Sequence, residues 1–134
     1  SASLTEDETG VKIGINLRNL PSGTYAFHIH ETGECNPPDF ESAGGHFNPY
    51  DKEHGFLNPE GPHAGDLPNI TVKHDGTIQE MITTKRVTLK KGESHSLLKP
   101  GGTALMIHSD ADDYLTDPAG NAGDRIACGV ITQN

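Results

Sequence analysis

The convincing period of apolar positions along this chain is two. In "VKIGINL", residues 11–17, Val11, Ile13, Ile15 and Leu17 alternate with polar or small residues; in "TYAFHIH", residues 24–30, Tyr25, Phe27 and Ile29 alternate with Ala26, His28 and His30. Residues two apart in a strand share a face, so each stretch predicts a strand with one apolar side. "PSG" at 21–23 supplies the turn between them. "NITVKH" and "TIQEMIT" flank Asp75-Gly76, a hairpin signal in which both central residues take positive φ. "RVTL", "TALMIH" and "IACGVIT" bring the predicted strands to seven, and no stretch sustains a helical stripe. The expectation is an all-β fold, a Greek-key antiparallel sandwich or flattened barrel.

Two segments interrupt the strands: residues 31–69, which hold six of the nine prolines, and residues 109–125, "SDADDYLTDPAGNAGDR". Loops of this length in a compact domain are usually functional or disordered. The first contains "GGHFNPYDKEHGFLNPEGPHAGD" at 44–66, which is polar and lacks apolar periodicity. With little apolar surface to offset its ordering entropy, such a loop is expected to owe its order to a bound metal.

Composition narrows the function classes. A chain of 134 residues is expected to be a single domain, 1–134, with a thin core at 32% hydrophobic residues. Ten Lys and Arg against 19 Asp and Glu give a formal charge of −9, which argues against nucleic acid and anionic membrane surfaces as partners. No run approaches the roughly 20 apolar residues of a membrane span and no leader is visible, so the chain is expected to be soluble, any export signal having been removed or never present. Cys35 and Cys128 fit neither a CxxC redox motif nor a thiolate zinc site. Their pattern leaves open a disulfide or two separate buried thiols. A bond between them would close a loop worth roughly 4 to 5 kcal/mol in the chain-entropy account and imply an oxidising compartment.

Six of the eight histidines occupy positions a metal could use. "HIH" places His28 and His30 side by side, opposite Tyr25, Phe27 and Ile29. His108 ends "TALMIH" on the parity of Ala104 and Met106 and is expected to meet that pair across the barrel. In the first long loop His46, His54, His63 and Asp66 offer three imidazoles and a carboxylate, which suits a closed, tetrahedral, structural zinc site. His74 and His95 read as solvated residues of a hairpin and a polar connection.

Together "FHIHETGEC", "AGGHFNP", "HAGDLPN", "MIHSDADD" and "GNAGDRIACGVI" resemble the copper/zinc superoxide dismutase family over residues 11–132, with the early Cys35 similar to its bacterial, exported branch. The resemblance implies copper on His28, His30, His46 and His108, and zinc on His46, His54, His63 and Asp66, with His46 bridging. It implies that Asp112 accepts hydrogen bonds from His28 and His54, that Cys35 and Cys128 form the family disulfide, and that Arg125 docks the anion beside copper. The implied activity is dismutation of superoxide to dioxygen and hydrogen peroxide, in which a copper redox cycle is served by His46 as proton carrier. An extracytoplasmic location (periplasmic, secreted or cell-surface) follows from the same likeness. A copper carrier of this fold would lack some of these ligands or the arginine, and a zinc hydrolase needs an open zinc position and a general base.

Two departures from the family stand out. "SASLTEDETG" aligns with the family's second strand, so the first is expected to be absent, leaving an open edge at which an oligomer could form. Residues 109–125 carry five aspartates and no lysine; Arg125 and copper are therefore the expected attractors of superoxide, with Lys52 a weaker third.

Overall fold

The computed structural model describes residues 1–133. Its strands are β1 (Ala2–Asp7), β2 (Gly10–Leu17), β3 (Gly23–Tyr25), β4 (Phe27–His30), β5 (Ile70–Val72), β6 (Ile78–Thr84), β7 (Thr103–His108) and β8 (Arg125–Ile131), with one short 3-10 turn at Glu41–Ala43. They pair antiparallel as β1-β2-β6, β3-β5 and β4-β7-β8. The all-β antiparallel expectation holds, and the two long loops connect β4 to β5 and β7 to β8.

The period-two reading is accurate for β2, where Val11, Ile13 and Ile15 are buried and Leu17 partly so. These side chains meet Tyr25, Phe27, Ile29, Ile70, Ile78, Leu105 and Ile107 in one continuous core. The segment 24–30 is not one strand. Tyr25 pairs with Ile70 in β5, whereas Phe27 pairs with Ile107 in β7. Ala26 makes the change of partner, its N–H donating to the Asp110 carbonyl and its carbonyl accepting from the His108 N–H.

Other expectations need correction. "RVTL" forms no strand; Thr88 makes only an isolated bridge to Ser96. At the Asp75-Gly76 turn only Gly76 has positive φ, at 80°. The Asp75 carboxylate instead accepts from the Thr77 N–H and hydroxyl, and β5 and β6 part to pair with β3 and β2. Ala2–Asp7 forms a strand against β2, while its other edge and the outer edge of β8 pair with nothing among the described residues. Between these edges lie two hollows of about 520 and 230 Å³, the first lined by Leu4, Leu89, Leu98, Leu105 and Ile131, the second by Ile15, Leu17, Phe27 and Ile107. Both hollows reach residues of the main core.

The largest correction concerns the loop 31–69. It is not without apolar anchors: Ala43, Phe47, Ala64 and Leu67 are buried, and three of these four belong to the main core. Its backbone is also paired, with Phe47 N–H donating to Ile29 O at 2.8 Å, Ile29 N–H to Gly65 O at 2.8 Å and Gly65 N–H to Phe47 O at 2.9 Å. The order of this loop thus rests on core packing and hydrogen bonds as well as on any metal. Leu67→Ala in the metal-free protein is expected to lower stability by about 2 to 5 kcal/mol, as for other buried leucines. Thermal or denaturant unfolding measures this, and an unchanged midpoint would mean that the loop is not anchored through its core side chains.

Candidate metal centre

The β4-β7-β8 sheet has two dissimilar faces. Phe27, Ile29, Leu105 and Ile107 face the main core, while the other parity carries His28 and His30, which pair in register with Met106 and Ala104. That second face would meet water if the strands stood alone. The long loops cover it instead, and all four residues of β4 and all six of β7 are buried. His108 lies on β7, the neighbour of β4 in the same sheet, beside a register shift between Ile107 and His108. It approaches His28 and His30 from the adjoining strand and not across the barrel.

His46 enters this face from the loop, where its backbone bridges to His30. Ring centroids lie 4.1 Å apart for His28 and His46, 4.8 Å for His28 and His108, 4.9 Å for His30 and His46, and 5.4 Å for His30 and His108. His30 Nε2 stands 3.3 Å from His108 Nε2, and His28 Nδ1 and His46 Nε2 are buried with no hydrogen-bond partner. One nitrogen from each of the four lies within 4.8 Å of the others. Buried polar atoms are rarely left without a partner. Orphaned imidazole nitrogens converging on one point are what a soft or borderline metal takes as ligands.

The second cluster uses the other nitrogen of His46. Its Nδ1 lies 3.1 Å from Asp66 Oδ1 and 3.1 Å from His63 Nδ1, while Asp66 Oδ1 lies 2.9 Å from His54 Nδ1 and 3.5 Å from His63 Nδ1. Ligand atoms on a tetrahedral zinc with 2.0–2.1 Å bonds are separated by roughly 3.4 Å, so this quartet is close to a zinc cradle. His28 also falls within reach of His46, His54 and Asp66. His63 closes on the same group, its Nδ1 lying 3.1 Å from His46 Nδ1 and 3.5 Å from Asp66 Oδ1.

Copper/zinc superoxide dismutase is the family whose profile matches residues 1–131. "Superoxide dismutase [Cu-Zn] 2" of Aquifex aeolicus is 62% identical over 131 residues, covering 97% of this chain and 77% of that protein. Among solved structures, a double mutant of a SOD-like protein from Bacillus subtilis superposes with a TM-score of 0.95 at 49% identity, covering 98% of this chain and 88% of that one. The Cu/Zn superoxide dismutase of Brucella abortus does so with a TM-score of 0.78 at 33% identity, covering 98% and 86%. The chain belongs to the copper/zinc superoxide dismutase family. It is thereby of an oxidoreductase family whose metals are copper and zinc, and it presents histidine and aspartate groups able to hold metals.

In this dismutase-family chain Asp112 is placed between the clusters. Its Oδ2 accepts from His28 Nε2 at 2.7 Å and its Oδ1 from His54 Nε2 at 2.8 Å. These contacts engage both Nε2 atoms, leaving the two Nδ1 atoms to face the clusters. Two residues that sequence reasoning missed hold Asp112 in turn. Asn69 receives the Asp112 N–H at Oδ1, 2.8 Å, and donates its side-chain amide to the Asp112 carbonyl, 3.0 Å. Gly120, with φ +74°, lets the second loop pass so close that a Cβ there would collide with Asp112 Oδ1 and stand 2.6 Å from His54 Nε2. Neither residue carries a ligand signature, and only their contacts identify them.

Cys35 and Cys128 form a disulfide with Cα atoms 5.7 Å apart, which settles the alternative left open by their spacing. The bond ties the start of the first loop to β8, and Phe40 and the 3-10 turn follow in that loop. Arg125, at the start of β8 and in register with His108, donates from its guanidinium to the Phe40 carbonyl at 2.9 Å.

Burial dominates the protonation of the metal-free site. It holds His30 down to about 2 and His46 and His108 down to about 4. It also lowers His28, although the hydrogen bond to Asp112 pulls the other way. For His54 burial opposes the charge, but Asp112 and Asp66 outweigh it and raise the ring to about 9. Burial would raise Asp66 and Asp112, yet their histidine partners hold both well below the usual carboxylate range.

Two predictions follow from this geometry. In the metal-free protein, His30, His46 and His108 resist protons that the unfolded chain accepts below about 6.5, so stability falls as pH drops from there towards 4. The His54 contribution is complete below about 6.5 and is lost as pH rises through about 9. Melting temperature of the metal-free chain should therefore peak near neutrality and decline on both sides, more steeply in acid; a flat profile from pH 4 to 7 would contradict the buried neutral histidines. Gly120→Ala should displace Asp112 from His54 and speed metal loss to a chelator by about tenfold or more, the scale seen for lost outer contacts of metal ligands. Metal release at the unmutated rate would show that the close approach is unimportant.

Proposed function

We propose that this chain dismutes superoxide to dioxygen and hydrogen peroxide, with His28, His30, His46 and His108 as the residues that would hold copper and His46, His54, His63 and Asp66 as those that would hold zinc. The observation that carries this reading is His46. Its Nδ1 sits among His63 and Asp66, while its Nε2 is buried, unpartnered and grouped with the other cluster. An imidazole that serves two cations must lose both ring protons, and two nearby divalent charges make that state accessible near neutral pH. Copper held by these residues would supply the one-electron redox chemistry that dismutation needs.

The protein's own groups do the rest. His46 takes a proton at Nε2 in one half of the cycle while Nδ1 stays with the zinc residues, and returns it to the developing peroxide in the other half, where solvent water supplies the second proton of hydrogen peroxide. Asp112 holds the His28 and His54 rings through their Nε2 atoms, so the two clusters hold their spacing as His46 changes protonation. Arg125 offers a guanidinium already oriented by the Phe40 carbonyl and beside His108, where it can pair with a small anion. Because Phe40 belongs to the loop that the disulfide ties to β8, Cys35–Cys128 helps position that guanidinium. The disulfide also favours an oxidising, extracytoplasmic location.

The test combines metal content with rate. The protein should bind one copper and one zinc per chain and consume superoxide catalytically, and Arg125→Glu should lower the rate by about tenfold or more with metal content unchanged, since it replaces attraction by repulsion at the docking point. A zinc-only protein, or an Arg125→Glu variant of undiminished rate, would overturn the corresponding part of this reading.

A further inference from the structure

His95 does not behave as a solvated loop residue. It is half-buried, its Nδ1 is buried without a partner, and its ring lies 6.2 Å from that of Tyr50 at 35°. Both line a hollow of about 320 Å³ between the loop 44–66 and the segment that follows β6. Lys52, Lys85 and Arg86 line it too, three of the chain's ten cationic residues, and no carboxylate does. Among the described residues none of these three has an ion-pair partner within 4.0 Å. Among the described residues Lys12 alone of the lysines and arginines has a carboxylate within 4.0 Å, so what sets this hollow apart on a chain of charge −9 is the gathering of three cations around one concavity with no carboxylate in its lining. Like charges gathered in this way repel, and an anion between them relieves the repulsion.

The lining also says which anion. Arg86 lies over the Phe56 ring at 5.1 Å, which orients its planar fork before any ligand arrives. A guanidinium so placed matches two oxygens of a tetrahedral oxyanion, and the flanking lysines add point charge. Tyr50, Pro62 and Ala64 give the same hollow an apolar wall, the mixture typical of sites that orient an organic body by a few polar groups. Glu6, Asp7, Glu8 and Glu93 line a neighbouring hollow that shares Lys85 and His95, which limits the positive field and disfavours a long polyanion. We infer that this hollow binds a small organic phosphate, its phosphate on Arg86, Lys85 and Lys52 and its body against Tyr50 and Pro62. The site borders the loop that carries His63 through Gly61, Pro62 and Ala64, and none of its charged residues belongs to the metal clusters.

Calorimetric titration of the metal-loaded protein tests this with phenyl phosphate, inorganic phosphate and phenol as probes. Phenyl phosphate should bind saturably and more tightly than inorganic phosphate, and phenol should not bind. Arg86→Glu and Lys52→Glu, from different segments and both exposed, should each weaken phenyl phosphate by about tenfold or more, as expected for lost charge-assisted hydrogen bonds. Lys73→Glu and Arg125→Glu should leave it within about twofold, which separates this site from the anion dock at the metal centre. Melting temperatures show that each variant remains folded. Absence of phenyl phosphate binding, equal loss in Lys73→Glu, or loss on Arg125→Glu but not on Arg86→Glu would overturn the proposal.

Discussion

The carboxylate of Asp112 is the contact on which the centre depends. It is buried, and each oxygen accepts from a histidine belonging to a different cluster, His28 on β4 and His54 in the first loop. A buried carboxylate is costly unless its lone pairs are used. Here the backbone N–H of Tyr114 adds a third donor at 2.7 Å, and Asn69 clamps the main chain of Asp112 itself. The second loop is therefore tied to the first by a carboxylate whose departure would leave two buried imidazole nitrogens unpartnered.

This arrangement explains why long polar loops can cover a sheet face made of histidines. The first loop reaches β4 through Phe47, Ala64 and Leu67, which join the core, and through backbone bonds at Ile29. Once these are made, His46 and Asp66 stand beside β4 with their donor atoms turned inward, and backbone bridges link His46 to His30 and Asp66 to His28. The second loop then closes over them, with Gly120 at the point of closest approach. Burial keeps His28, His30, His46 and His108 neutral, the form that ligates metal, while two carboxylates hold His54 cationic in the metal-free chain.

Charge is distributed unevenly around this centre. The second loop contributes five aspartates, of which Asp112 is internal and Asp110, Asp113, Asp117 and Asp124 are exposed. Positive charge appears instead at Arg125 and around the hollow of Lys52, Lys85 and Arg86. With screening over roughly 8 to 10 Å at ordinary salt, each patch acts locally, and the net charge of the chain is a poor guide to what an anion meets at either place.

Taken alone, the sequence determined the strand class, the placement of His28 and His30 on one face, and the histidine and aspartate residue types that gather in both clusters. These are local properties: alternation has a period of two wherever a strand forms, and the histidines and Asp66 announce their chemistry by identity. The dense motifs from "FHIHETGEC" to "GNAGDRIACGVI" also sufficed for the family. Tertiary structure alone decided that 24–30 divides at Ala26, that the Asp75-Gly76 strands part, and that Phe47 and Leu67 anchor a loop with no visible period. It likewise decided the roles of Asn69 and Gly120 and the gathering of Lys52, Lys85, Arg86 and His95. Each of these depends on which distant backbone comes within a few ångströms, a relation between segments that no local pattern of residue types encodes.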